Sequence, residues 1–182
     1  MTQFVALLRG VNVGKAKRVA MADFRLILEG LGFEGVVTLL NSGNAVFRGD
    51  KGTSTEHAVS LAAAMLRELN IDVPVIVKSA KELSTAILEN PIKVDADDHA
   101  KLLVAFAQER KDLSCLWSIE ALVTAPEQFS IGKNAAYLFC PNGILNSKVG
   151  AAILGKMGNG VTTRNLATVL KLEQLLSKVL HA

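Results

Sequence analysis

Segments with apolar residues at helical spacing alternate with short apolar runs along the first 90 residues, and that order constrains the fold more than any other feature. Residues 3–8 open the chain with an apolar run that reads as a strand and ends at Arg9-Gly10. Phe24, Ile27, Leu28 and Leu31 then recur at i, i+3, i+4 and i+7, one face of a helix, with Gly32 where a C-terminal cap belongs. Residues 35–40 and 44–48 read as two strands joined by the tight turn Asn41-Ser42-Gly43. Thr55 is the expected cap of a second helix whose face is Ala58, Leu61, Ala62, Met65, Leu66 and Leu69. Residues 73–78 form a strand whose Pro74 suits a sheet edge. Ser79 and Glu82 make a capping box that opens a short helix, and Asn90-Pro91 stops it.

The order strand, helix, strand, strand, helix, strand is the split-βαβ, ferredoxin-like arrangement, and the class it predicts is α+β. The acidic stretch Asp95-Ala96-Asp97-Asp98 is the expected linker, which gives halves at residues 1–94 and 95–182. Beyond it, residues 101–107 read as a strand. Leu113, Leu116 and Trp117 begin a helix, and residues 128–131 and 135–140 form a hairpin around Gly132-Lys133-Asn134. Ser147 is placed to cap a helix through Val149, Ala152 and Ile153, and Thr163 to cap a last one through Leu166, Val169 and Leu170. This βαββα order repeats that of the first half, without residue-level identity between the two. A length of 182 residues suits one domain or two small subdomains, and a chain half hydrophobic and one-fifth charged is not a disordered one.

The net charge of +3 is unevenly spread. Residues 1–22 carry Arg9, Lys15, Lys17 and Arg18 and no acid. Residues 128–172 carry Lys133, Lys148, Lys156, Arg164 and Lys171 and again no acid, while residues 23–127 carry a net −6. Convergence of the two acid-free stretches would make a positive surface for phosphate, carboxylate or nucleic acid; the alternative is two separate solvated segments. Two cysteines exclude a disulfide scaffold and a four-thiolate zinc site. The apolar run after the N-terminus is too short for a signal-peptide core, and no run approaches a membrane span. The chain therefore reads as cytoplasmic, with Cys115 and Cys140 reduced.

Gly10-Val11-Asn12-Val13-Gly14-Lys15-Ala16 follows a strand, where a phosphate loop belongs. Its glycines are one residue too close for a nucleoside-triphosphate loop, and Ala16 stands where a magnesium-binding hydroxyl is required. What survives is an anion nest of Gly-rich backbone with Arg9, Asn12 and Lys15; a plain surface loop is the alternative. Asn41-Ser42-Gly43-Asn44 is compatible with an ordinary hairpin turn. Thr162-Thr163-Arg164-Asn165 is read as a helix start, whose hydroxyls and N–H groups suit anions or merely cap the helix. Ser130 and Lys133 have the Ser-x-x-Lys spacing of some acylating enzymes, but on a strand rather than a helix. His57, His99 and His181 lie far apart and suggest neither a metal site nor a hydrolytic triad, so no cofactor is expected. Neither the first nor the third strand carries the aromatic pattern of an RNA-recognition domain, so nucleic acid rests on charge alone.

Taken together, three stretches resemble a known family. Ala6-Leu7-Leu8-Arg9-Gly10-Val11-Asn12-Val13-Gly14, Asn41-Ser42-Gly43-Asn44, and Pro141-Asn142-Gly143 with Ser147-Lys148 and Thr163-Arg164-Asn165 are similar, in order, to the motifs of the bacterial domain-of-unknown-function family 1697. Lys15 stands where that family usually has a second Gly, Leu145-Asn146 where it often has Gly-Arg, and Leu166 where it often has Trp. The resemblance implies two ferredoxin-like halves and no settled activity.

The expected function is binding of an anionic small molecule, a nucleotide or a phosphorylated metabolite, in a basic polar cleft between the halves. The ligand-binding candidates are Arg9, Asn12, Gly14, Lys15, Ser42, Gly43, Asn44, Lys148, Thr163, Arg164 and Asn165. Three alternatives stand beside it. One is an enzyme using Ser42 or Lys148 in the same cleft, and another is a nucleic-acid binder. In the last, Arg9, Asn44 and Arg164 are buried polar groups that specify packing.

Overall fold

The computed structural model of the chain describes residues 1–14 and 17–179. It is an α+β protein with two four-stranded antiparallel sheets. Its described residues group into two units: those within 1–83 together with 172–179, and those within 84–171.

In the first unit, β1 (Thr2–Leu8) is followed by α1 (Met21–Gly30), β2 (Glu34–Leu39), β3 (Asn44–Gly49), α2 (Ser54–Leu69) and β4 (Val75–Ser79). The sheet order is β2-β3-β1-β4, with β1 and β3 central. Pro74 precedes β4, an edge strand, where a missing N–H costs the ladder nothing. One sheet face packs Phe4, Ala6, Leu8, Ala45 and Phe47 against Phe24, Ile27 and Leu28 of α1 and Leu61, Ala64 and Met65 of α2. The helical repeats read from the sequence match these inward faces except at Leu66, which is exposed, while Ala64, not read as part of the face, is buried. Val5 and Leu7 on the other face of β1 are buried as well, so β1 is apolar throughout. Gln3 Nε2 donates to the Leu176 carbonyl at 2.7 Å.

The cap of α2 is Thr53, not Thr55. Its hydroxyl accepts from the Glu56 N–H at 3.2 Å, and the Glu56 carboxylate accepts from the Thr53 N–H at 2.7 Å, a reciprocal capping box. Ser79 and Glu82 make the expected second box at the start of α3 (Ala80–Leu88). Gly32, at φ +84°, donates its N–H to Glu29 O and ends α1 as expected.

The second unit holds β5 (Leu102–Ala107), a run of 3-10 turns (Arg110–Leu122), β6 (Gln128–Ile131), β7 (Ala135–Phe139), α4 (Lys148–Leu154) and β8 (Val161–Asn165), with α5 (Leu166–Val179) following. Its sheet order, β6-β7-β5-β8, repeats that of the first sheet with each index raised by four. Leu103, Ala105, Leu138 and Val161 pack against Leu113, Leu116 and Ile119 of the 3-10 run and Val149 and Ile153 of α4.

Two sequence expectations change here. The segment begun by Leu113, Leu116 and Trp117 is 3-10 rather than α-helical. Ser114 Oγ donates to Lys111 O and Ser118 Oγ to Cys115 O, competing with the helical ladder. Thr162-Thr163-Arg164-Asn165 is strand, not helix start: it pairs with β5, Arg164 opposite Val104 and Thr163 opposite Ala105. The cap of α5 is Asn165, whose Oδ1 accepts from the Thr168 N–H at 2.9 Å.

Candidate functional site

The motif residues fall in both units. In the first, β1 is so placed that the loop after it and the turn between β2 and β3 meet at one end of the sheet. The Leu8 N–H donates to Gly43 O at 2.8 Å, and the Arg9 N–H to Pro74 O at 3.0 Å. Gly43 lies at φ +75°, and a Cβ on it would sit 2.6 Å from Leu8 Cβ and 2.9 Å from Val11 Cγ2. Only glycine fits both the backbone angle and the space.

Asn12 holds the loop on the turn. It adopts the left-handed conformation at φ +57°. Its Oδ1 accepts from the Val19 N–H at 3.0 Å, while its Nδ2 donates to Val19 O and Asn41 O, both at 2.7 Å. One amide side chain thus ties the two ends of the loop together and ties the loop to the hairpin turn. Asn12, one of the ligand candidates, hydrogen-bonds backbone through both side-chain atoms.

Around that staple the loop is basic and open. Gly10, Val13, Gly14, Lys17 and Arg18 are exposed, and Arg9 is half-buried. Arg18 Nη2 donates to Gly14 O at 3.3 Å, and the Lys17 ammonium donates to Asp72 O. Lys15 lies outside the described residues. Ser42 is half-buried, and its Oγ accepts from Asn44 Nδ2 at 2.9 Å. The same Nδ2 donates to Leu39 O, also at 2.9 Å, and Asn44 is 0% exposed. Asn44 therefore braces the turn from inside.

In the second unit, Ser147 caps α4 as expected, accepting from the Gly150 N–H at 2.9 Å, and Lys148 beside it is exposed. Thr163 and Asn165 lie on one face of β8 and are half-buried. Arg164, on the other face with Thr162, is only 8% exposed. Its Nη1 donates to Thr162 Oγ1 at 3.0 Å and to Thr163 O at 2.7 Å, and burial pushes its pKa down to about 10.

The sequence reading passed over Glu89, which organises the β6–β7 hairpin. Its carboxylate accepts from the Asn134 N–H at 2.7 Å, Asn134 Nδ2 at 2.9 Å, the Ala135 N–H at 3.2 Å and the Tyr137 hydroxyl at 3.1 Å. The single Tyr137 hydroxyl proton is shared between Glu89 and the nearer Ala86 O at 2.6 Å, and burial beside Glu89 raises its pKa. His57 was equally silent in the sequence. It lies among Phe4, Phe33 and Phe47, its Nε2 is buried without a hydrogen-bond partner, and burial lowers its pKa. Among the described residues, no three His, Cys, Asp or Glu side chains gather for a metal ion, and no helix is long and apolar enough to cross a membrane.

A family model described as a protein of unknown function, DUF1697, matches residues 1–137. The chain belongs to this family. The match takes in the Arg9–Gly14 loop and the Asn41–Asn44 turn, while Ser147-Lys148 and Thr163-Arg164-Asn165 lie beyond the matched residues. The structure of the conserved bacterial protein SP0830 from Streptococcus pneumoniae superposes with a TM-score of 0.79 at 25% identity, over 96% of this chain and 98% of that one. Comparison with curated proteins gives no match. For this DUF1697 member, family and fold are thus settled ahead of any activity.

Proposed function

We propose that this protein binds a small anionic molecule, a nucleotide or a phosphorylated metabolite, at the first unit's Arg9–Gly14 loop and the adjoining Asn41–Gly43 turn. The observation that carries the reading is the Asn12 staple. It fixes an open, glycine-containing loop rich in cations before any ligand arrives, which lowers the ordering cost of binding. Residues 1–22 contain no acid, so nothing within the loop repels an anion. Arg9 supplies a forked donor, and the backbone at Gly10 and Gly14, both at positive φ, allows close approach of an oxyanion.

Burial favours a different role for two of the other candidates. Asn44 and Arg164 are enclosed and hydrogen-bonded within their own units, which supports the reading in which they specify packing. The test is a thermal-shift series with ATP, glucose 6-phosphate and inorganic phosphate. A saturable rise that is lost in Arg9→Ala, with the variant still folded by circular dichroism, supports the binding role. No rise with any of the three contradicts it.

A further inference from the structure

A second feature, wholly within the second unit, is a groove of about 840 Å³ between the 3-10 run and β6. One wall is Arg110, Lys111, Leu113, Ser114, Trp117 and Glu120; the other is β6 itself, from Phe129 to Gly132. Trp117 is 70% exposed, an unusual placement for the chain's single Trp.

The strand wall is a sheet edge. Among the described residues β6 pairs only with β7. The Gly132 N–H donates to Ala135 O at 2.8 Å, so that pair faces inward. Antiparallel pairing alternates, so Ser130–Tyr137 and Gln128–Phe139 also bond inward. Phe129 and Ile131 therefore turn their N–H and C=O groups away from β7, on the side of β6 that has no neighbouring strand. The groove thus combines main-chain donors and acceptors that no strand among the described residues takes up, apolar surface from Leu113, Trp117 and Phe129, and charge of opposite sign along the 3-10 wall. At one end of the 3-10 run stand Lys111, paired with Glu109 at 2.8 Å, and Arg110, exposed and without an ion pair among the described residues; Glu120 lies ten residues along from Arg110.

We propose that this groove binds an extended peptide segment by adding it as a strand to β6, with an acidic residue toward Arg110, a basic one toward Glu120 and alternate apolar side chains against Trp117 and Phe129. The four residues of β6 span about 13 Å, which matches a short linear segment. Main-chain bonds to Phe129 and Ile131 supply affinity, and the two charged ends set direction.

The test uses the full chain and two fluorescein-labelled peptides, Asp-Asp-Val-Thr-Val-Thr-Lys and its reversed sequence, in fluorescence polarisation. One direction is expected to bind saturably. Binding should weaken at least tenfold in Arg110→Glu and in Trp117→Ala, both exposed positions whose fold is checked by circular dichroism. It should vanish when the peptide's backbone nitrogens between the charged ends are methylated. Three results overturn the proposal: no binding in either direction, binding indifferent to methylation, or a groove occupied instead by a single-stranded oligonucleotide or by a second copy of the chain. The oligonucleotide is scored in the same assay and the second copy by sedimentation.

Discussion

Gly43 shows how one position ties two chain segments together. Its positive φ and the contacts waiting at Leu8 and Val11 leave no room for a methyl group. Gly43→Ala should cost about 2–4 kcal/mol in urea unfolding, from left-handed strain plus overpacking. His57 makes a pH prediction. Its folded-state pKa is lowered by burial among three phenylalanine rings, so the unfolded chain binds the proton more readily. The groups facing it are those rings, Gly49, Gly52 and the neighbouring Glu56 carboxylate, which acts in the opposite direction. Burial outweighs the carboxylate, so stability should be fully present above the unfolded pKa of about 6.5 and fall as pH drops below it. Urea midpoints measured between pH 5 and 7.5 check this, and His57→Phe should flatten the slope in that window. Gly43 was legible as a turn and motif residue, but its packing against Leu8 and Val11 was not, and a lone histidine such as His57 becomes informative only when its neighbours are known.

Among the elements, what was legible followed periodicity and what was missed followed pairing. The face of α1, most of the face of α2 (Leu66 excepted), the hairpin at Asn41-Ser42-Gly43 and the edge position of β4 were readable, because each rests on residues close in sequence. Strand β8 was not. Thr162-Thr163-Arg164-Asn165 has the polar, hydroxyl-rich look of a helix start, and only its ladder with β5 makes it a strand. The α2 cap was a local misreading, since Thr53 has the Thr-x-x-Glu spacing with Glu56 and Thr55 does not. Glu89 was missed because its partners lie about 45 residues away. Its carboxylate satisfies two backbone N–H groups, an amide and a phenol, so Glu89→Ala should cost about 3–5 kcal/mol. Hydrogen exchange at the Asn134 and Ala135 amides should accelerate in that variant; unchanged protection would show that the hairpin does not depend on it.

At the scale of the whole molecule, two sheets with the same strand order rest on different local chemistry, α-helix in one unit where the other uses 3-10 turns. The likeness to SP0830 spans nearly both chains, so the architecture is shared at low identity. The motif residues are of two kinds. Asn12, Gly43 and Asn44 shape the end of the first sheet, whereas Arg9, Gly10 and Gly14 border the loop that the shaping leaves open. Asn12→Ala should therefore loosen the loop, costing about 2–4 kcal/mol through its three lost hydrogen bonds, and should weaken anion binding without touching the ligand. The most direct measurement is a nitrogen–proton correlation spectrum of the full chain titrated with ATP and, separately, with glucose 6-phosphate. Saturable shifts at the amides of Gly10, Val13, Gly14 and Ser42, absent in Arg9→Ala, are the predicted result. Spectra that stay unchanged at those amides, or shifts confined to other parts of the chain, would contradict the account.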